Sequence, residues 1–375
     1  LSKKKKKPVK KPLRTVKKPA RLAFLSYVGD VQGCGTIRVM YPYMLLNHIR
    51  NIPKTTVHTT FLSNYVREPD FYKDFTFVQF QRSATDYHLN IYNHFKKEIQ
   101  SKYKIPLVYE IDDLLIGIPE WNYAHQYYAK NEKYVKTLIS LSDGVITSTE
   151  KLKEIYSELN NKIRVIPNHL PKFVWGDIHK ATDYYDERKK IKILWAGSQN
   201  HFALPGMEKD NIHGGDFGQG LMDFIRKTTD KYDWHLMGAM PIELEHIKNK
   251  ITFTKWRNIF EYPKTMKAIE PDICIAPLED SVFNACKSNI KSLEFAACGA
   301  PGVFSNIEPY KRHSMTADTD EEMCSMIEQL ANDIDLRVKI YKKDYEKVRG
   351  QLFWEENNNV RKYLDTYLEI FGKRV

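Results

Sequence analysis

The stretch from Asp272 to Asn306 constrains this chain most, because it spells a buried strand, a loop, a short helix and a second strand in direct succession. Ile273, Cys274, Ile275 and Ala276 form a continuous apolar run, the pattern of a strand covered on both faces, and Pro277 and Leu278 close it. Ser288 or Asn289 can cap a helix that ends at Gly299, with Pro301 just beyond. Ile290, Leu293 and Ala297 make its buried stripe, and Lys287, Lys291 and Glu294, at i, i+4 and i+7, share an arc of roughly 60° beside that stripe.

Two cations and a carboxylate on one edge suit a sugar nucleotide. Unpaired N–H groups at a helix start, the positive end of its dipole and an adjacent lysine favour a diphosphate. A carboxylate about 7 Å further along, at 1.5 Å per residue, can accept hydrogen bonds from both hydroxyls of a ribose. The same spacing also suits a surface helix laced with Lys–Glu pairs, and spacing alone leaves both readings open.

The rest of the chain alternates in the same way. Apolar runs predict strands at Leu22–Tyr27, Val57–Phe61, Phe75–Phe80, Leu107–Ile111, Gly144–Thr147 and Arg164–Ile166. Helical patterns lie between most of them, notably Asp86–Tyr103, Tyr123–Leu141 and Thr149–Leu159. Residues 169–190 mix Pro, Gly, Asp and charge and read as a linker, after which strands are expected at Lys192–Ala196, Trp234–Gly238 and Ile251–Thr254. Past Asn306 the chain turns helical, over Glu321–Asn332, from Asp335 to about Arg349, and from about Trp354 to Phe371. Alternation of strand and helix argues for parallel, doubly wound sheets, which bind ligands beyond the carboxyl ends of their strands. Asp112 and Asp113 stand at such an end, where one of them can deprotonate a hydroxyl, or one can cap while the other is solvated. Gly33 and Gly35 in the first loop either let backbone approach a ligand or serve a tight turn. Residues 203–220 are glycine-rich and long for a connection, as lids and mobile loops both are. Trp256 either flanks a nucleobase or sits in the core.

The run PDICIAPL through FNACKSNIKSLEFAACGAP to Pro309-Tyr310, the WAGS turn with His201, and the first Gly-rich loop resemble family-4-like GT-B glycosyltransferases. Many members carry an earlier Glu in an E-x7-E pattern, and this sequence has Cys286 in that place. The resemblance implies an α/β chain of two doubly wound Rossmann-like domains facing a cleft. On that frame residues 1–21 form a basic tail, 22–168 the acceptor domain, 169–190 the linker, 191–353 the nucleotide-sugar domain, and 354–375 a helix crossing back to the first domain. The resemblance also implies that Lys287, Ser288 and Asn289 face the donor phosphates, that Glu294 holds the ribose, and that Gly33, Gly35, Arg38, Ser198 and His201 border the sugar and phosphates; Lys291, on the same helix edge, is expected among the donor-binding residues. The activity implied is transfer of a sugar from a nucleotide donor, a UDP-sugar as co-substrate, to a hydroxyl, with no tightly bound cofactor and no metal.

Charge bears on the acceptor. The net charge of +11 is confined to the tail: residues 1–21 hold 11 of the 58 Lys and Arg and no acid, leaving 47 basic against 47 acidic residues elsewhere. Lys3, Lys4, Lys5, Lys6, Lys7, Lys10, Lys11, Arg14, Lys17 and Lys18 form an arm that suits nucleic acid through counterion release, an anionic membrane surface, or a localisation signal. No apolar run reaches membrane-spanning length and no secretory h-region follows the lysines. Five widely spaced cysteines argue for reduced thiols, so a cytoplasmic setting is expected, the host cytoplasm for a phage-encoded chain. Phage-type enzymes that glycosylate hydroxymethylated bases in DNA share the general fold, which makes DNA the first acceptor expected. Assembly of a surface glycan, or an inactive glycosyltransferase-like module that only binds nucleic acid, are the alternatives.

Overall fold

The computed structural model describes residues 21–46, 54–177, 190–204, 206 and 214–370. The cationic residues singled out at 3–18, and the Phe371 expected on the last helix, lie outside them.

Two six-stranded sheets, parallel throughout, carry the molecule. The first contains β1 (Leu22–Tyr27), β2 (Thr55–Thr60), β3 (Phe77–Gln81), β4 (Leu107–Ile111), β5 (Gly144–Thr147) and β6 (Ile163–Val165), in the order β2-β1-β3-β4-β5-β6. The second contains β7 (Lys192–Gly197), β8 (Asp233–Gly238), β9 (Thr252–Lys255), β10 (Ile273–Ala276), β11 (Gly302–Ser305) and β12 (Thr316–Ala317), in the order β12-β11-β10-β7-β8-β9. β1, β4, β5 and β10 begin and end where their apolar runs do, because helices cover both faces of a parallel sheet and only such runs fill the space between. The others shift by one or two residues. β12, two residues long and half polar, gives no periodic signal.

Other departures have local causes. A helix at Glu261–Ile269 holds Pro263 in its first turn, where the missing N–H is harmless. The final helix starts at Asn359 instead of about Trp354, because residues 353–358 form a crossing: the Trp354 amide donates to the Leu170 carbonyl at 3.0 Å, and the Leu170 amide to Leu352 at 2.8 Å. That helix returns to the first sheet, where Tyr363, Leu364, Tyr367 and Leu368 pack with Phe24, Phe77 and Val108. Tyr367 stacks on Phe77 at 4.9 Å and donates its hydroxyl to Gln79 at 2.5 Å.

The loops at the carboxyl ends of the two sheets meet. Trp121 Nε1 donates to Glu279 at 2.9 Å, Asn122 Nδ2 to the Asn200 carbonyl at 3.0 Å, Thr149 Oγ1 to the Cys286 carbonyl at 3.1 Å, and Asn168 Nδ2 to Ser288 Oγ at 2.7 Å. Phe283 and Cys286, from the loop after β10, are buried among the apolar residues of the first half. Cys286, which the resemblance set at the position of an earlier Glu, is therefore a buried packing contact. Among the described residues no helix is long and apolar enough to cross a membrane.

Candidate active site

β10 delivers the chain to a loop that ends at the helix Ile290–Cys298. Asn289 holds the cap position but caps nothing. Its amide pairs instead with the Gln351 amide, at 3.1 and 2.9 Å, while Ser288 Oγ accepts from Asn168. Both side chains expected at the phosphates are therefore tied to the crossing segments. Their backbone is not: the amides of Ser288, Asn289, Ile290 and Lys291 have no hydrogen-bond partner among the described residues. Unpaired N–H groups at the positive end of a helix dipole attract an anion.

Beside this helix start stands an unforeseen carboxylate. Asp216 is 3 % exposed and accepts four hydrogen bonds: from the Glu279 amide (3.0 Å) and Asn284 Nδ2 (2.7 Å) on one oxygen, and from His201 Nδ1 (2.6 Å) and Lys287 Nζ (3.2 Å) on the other. Burial pushes its pKa up, but Lys287 and His201 outweigh burial and hold it down at about 2. Asp216 thus fixes the Lys287 ammonium, and it sets the His201 tautomer. Burial and Lys287 lower the His201 pKa, so the imidazole stays neutral with Nδ1–H on Asp216. Its Nε2 is then an acceptor, suited to a sugar hydroxyl and not to a phosphate. Asp216 follows a Phe202–Gly215 bridge, within the 203–220 stretch whose residues 205 and 207–213 lie outside those described, and Gly214 lies where a Cβ would stand 2.7 Å from Trp121 of the other half. The sequence signal was present, an acid flanked by glycines in GGDFG, but nothing there indicated burial.

Further along the helix Glu294 is 5 % exposed and uses one oxygen, Oε2, to accept from Tyr262 Oη (2.9 Å) and Lys291 Nζ (2.8 Å). Lys291, expected among the donor-binding residues, lies over the Tyr262 ring and also donates to its hydroxyl at 2.9 Å. It orients the carboxylate instead. Glu294 Oε1 has no partner among the described residues. Trp256 is not in the core: it is 49 % exposed, with its ring 6.4 Å from that of Tyr262. Ser198 precedes the turn holding His201 and accepts the His201 amide on its carbonyl at 3.2 Å.

On the opposite side Asp112 and Asp113 are both held by Arg82, Asp112 at 2.7 Å. Burial raises the Asp112 pKa, but Arg82 and Arg38 outweigh it and keep this carboxyl below its ordinary value. Asp113 goes the other way: burial, together with the Asp112 charge, raises it despite Arg82 and Lys287. Its side chain is also the more exposed, 33 % against 11 %. Arg82 also borders a cavity of about 300 Å3 at the carboxyl ends of β1–β3, lined among others by Asp30, Phe61, His88, Tyr127 and Tyr128. Gly33 faces open space near this end, whereas Gly35 is a packing glycine, since a Cβ there would fall 1.7 Å from the Asp30 carbonyl oxygen. Arg38 corrects an expectation. It is 3 % exposed and donates to Glu110 (2.7 Å), the Ile166 carbonyl (2.6 Å) and Asn168 (2.8 Å), so its guanidinium braces β4 and β6 from inside.

Among the described residues no three His, Cys, Asp or Glu side chains gather as a metal site. Two parallel, doubly wound sheets whose carboxyl ends enclose a polar cleft define the GT-B architecture. The fold is similar to the N-terminal domain of Candida albicans trehalose-6-phosphate phosphatase, with 11% identity and a TM-score of 0.55 over 92% of this chain and 96% of that one. Staphylococcus aureus MnaA with UDP aligns at 9% identity and a TM-score of 0.48 (95% and 98% covered), and Acinetobacter baumannii MurG at 10% and 0.40 (92% and 98%). At such identities likeness bears on the fold alone. No family model and no curated protein matches the chain.

Proposed function

We propose that this chain is a glycosyltransferase moving a sugar from a UDP-sugar to a hydroxyl, and that the hydroxyl belongs to a hydroxymethylated base in DNA. One observation carries the first part: four unpaired amides at a helix start, flanked by the fixed Lys287 ammonium and followed by Glu294 with Oε1 open. The diphosphate lies on the amides and Lys287, the ribose hydroxyls donate to Glu294, and the exposed Trp256 offers a face to the base. His201 Nε2 accepts from the sugar.

In the reaction Asp113 takes the proton of the acceptor hydroxyl as that oxygen bonds to the anomeric carbon. The bond from that carbon to the phosphate oxygen breaks, and UDP leaves with the electron pair, its charge held by the amides and Lys287 without need of a metal. Such a displacement inverts the anomeric centre. The cavity beside Arg82 is large enough for one ring of the acceptor. The acceptor assignment is supported by the charge pattern: a neutral body with a tail of 11 cations suits a polyanion. A base reaching the cavity from duplex DNA would be turned out of the stack.

The test is mass spectrometry of nucleosides from hydroxymethylcytosine and hydroxymethyluracil DNA incubated with the protein and a panel of UDP-sugars. A hexose or pentose mass on the hydroxymethylated base alone is expected. No added mass with UDP binding intact would discard DNA as acceptor in favour of a glycan. Glu294→Ala is expected to weaken UDP by about 10–100-fold in calorimetry, the loss of charge-assisted hydrogen bonds. An unchanged Kd would remove the donor-site assignment itself.

A further inference from the structure

The segments that join the two halves border an open cavity of about 380 Å3. One wall is the end of β6 and the first crossing, with His169; a second is Gly350 and Gln351; the third is one face of the final helix, where Asn359, Lys362, Tyr363 and Thr366 follow at i, i+3, i+4 and i+7. Ligand pockets begin at about 300 Å3. No carboxylate lines this one. The Lys362 ammonium has no ion pair among the described residues and rests only on Asn359 Oδ1 at 3.4 Å. His169 donates from Nδ1 to the Gln351 carbonyl at 2.5 Å, with Trp354 against its ring at 4.3 Å. Burial pushes its pKa down to about 4, and Arg38 and Lys362 act in the same direction, so the ring is neutral and Nε2 accepts.

We propose that this crossover cavity is a second ligand site, taking a small polyol phosphate of hexose phosphate size. The Lys362 ammonium receives the phosphate, while His169 Nε2 and Thr366 Oγ1, whose own proton goes to the Lys362 carbonyl, accept from sugar hydroxyls; both Asn359 amide protons are held by the Gly350 and Phe353 carbonyls, so Asn359 positions Lys362 instead. A ligand there touches both crossings at once, so it favours the arrangement in which they lie together. The wiring to the donor helix is direct. Gln351, which lines the cavity, donates to the Asn168 carbonyl and to Asn289, each at 2.9 Å, and Asn168 donates to Ser288, so one residue of the cavity wall holds those at the helix start. This coupling rests on the donor-site reading given above; the binding site itself does not.

Calorimetry on the full chain with glucose 6-phosphate, inorganic phosphate and glucose tests the site. One-site binding of glucose 6-phosphate is expected, weaker binding of phosphate, and none of glucose. Lys362→Ala, a change at an exposed position, is expected to weaken glucose 6-phosphate by about tenfold or more, the loss of one charge-assisted contact. Saturating UDP is expected to leave it bound, with each ligand altering the other's Kd by the same factor. No heat at millimolar glucose 6-phosphate, equal affinity in Lys362→Ala, displacement by UDP, or phosphate binding as tightly would each overturn the proposal. Failure of UDP to bind at all would instead remove the donor-site reading and leave the Lys362 comparison decisive for this site.

Discussion

Asp113→Asn is expected to lower kcat by about 10²–10⁴-fold, the usual contribution of a general base, while leaving the Kd for UDP-sugar within about twofold. Turnover can be followed on the acceptor or, with water in its place, as UDP release. The split matters because, on the proposed function, Asp113 serves the acceptor hydroxyl and makes no contact with the donor. Its pKa is raised by burial and by Asp112, so the acid limb of the pH–rate profile is expected above the ordinary carboxylate value, activity falling as the base takes up its proton. Asp112→Asn removes the charge that raises Asp113, and is expected to move that limb to lower pH while retaining more turnover than Asp113→Asn. Equal kcat losses in the two variants, with no movement of the limb, would end the assignment of Asp113 as the base and leave the pair as a brace for Arg82.

The second large effect is on stability. Asp216→Ala strips the partner from the half-buried Lys287 ammonium, leaves His201 Nδ1 and the Glu279 amide without a partner and takes one of the two acceptors of Asn284 Nδ2, at a cost of about 3–5 kcal/mol in urea unfolding followed by tryptophan fluorescence. A loss below about 1 kcal/mol would mean that water replaces the carboxylate and that Lys287 is not held by it. The pH dependence has a definite sign. The folded pKa of Asp216 is depressed to about 2, below the unfolded value of about 3.9, so its contribution of about 2–3 kcal/mol is present above that unfolded value and disappears as pH falls toward 2. Asp344, also held at about 2 by His313, Lys347 and Ser314, loses its contribution in the same window. The difference between wild type and Asp216→Ala isolates the first, and should shrink on acidification.

Local pattern was enough for the frame of this protein. The short apolar runs at Leu107–Ile111 and Ile273–Ala276, with their flanking prolines and β-branched residues, read as buried strands, and the helix ending at Gly299 is marked by its own stripe and punctuation, because strand burial and helix amphipathicity are written within a few residues. Spacing likewise placed Glu294 on the edge of that helix. What the tertiary structure alone decided was the partner of each charge. Lys291 turns to Glu294 and Tyr262, Lys287 to an aspartate 71 residues before it, Asn289 to Gln351, and Arg38 inward to Glu110 instead of outward to a donor. Each of those choices depends on groups distant in sequence arriving within about 3 Å in a place where desolvation leaves no charge unpaired. Periodicity reports which face of an element is buried; it carries no information about what a second sheet will bring against that face.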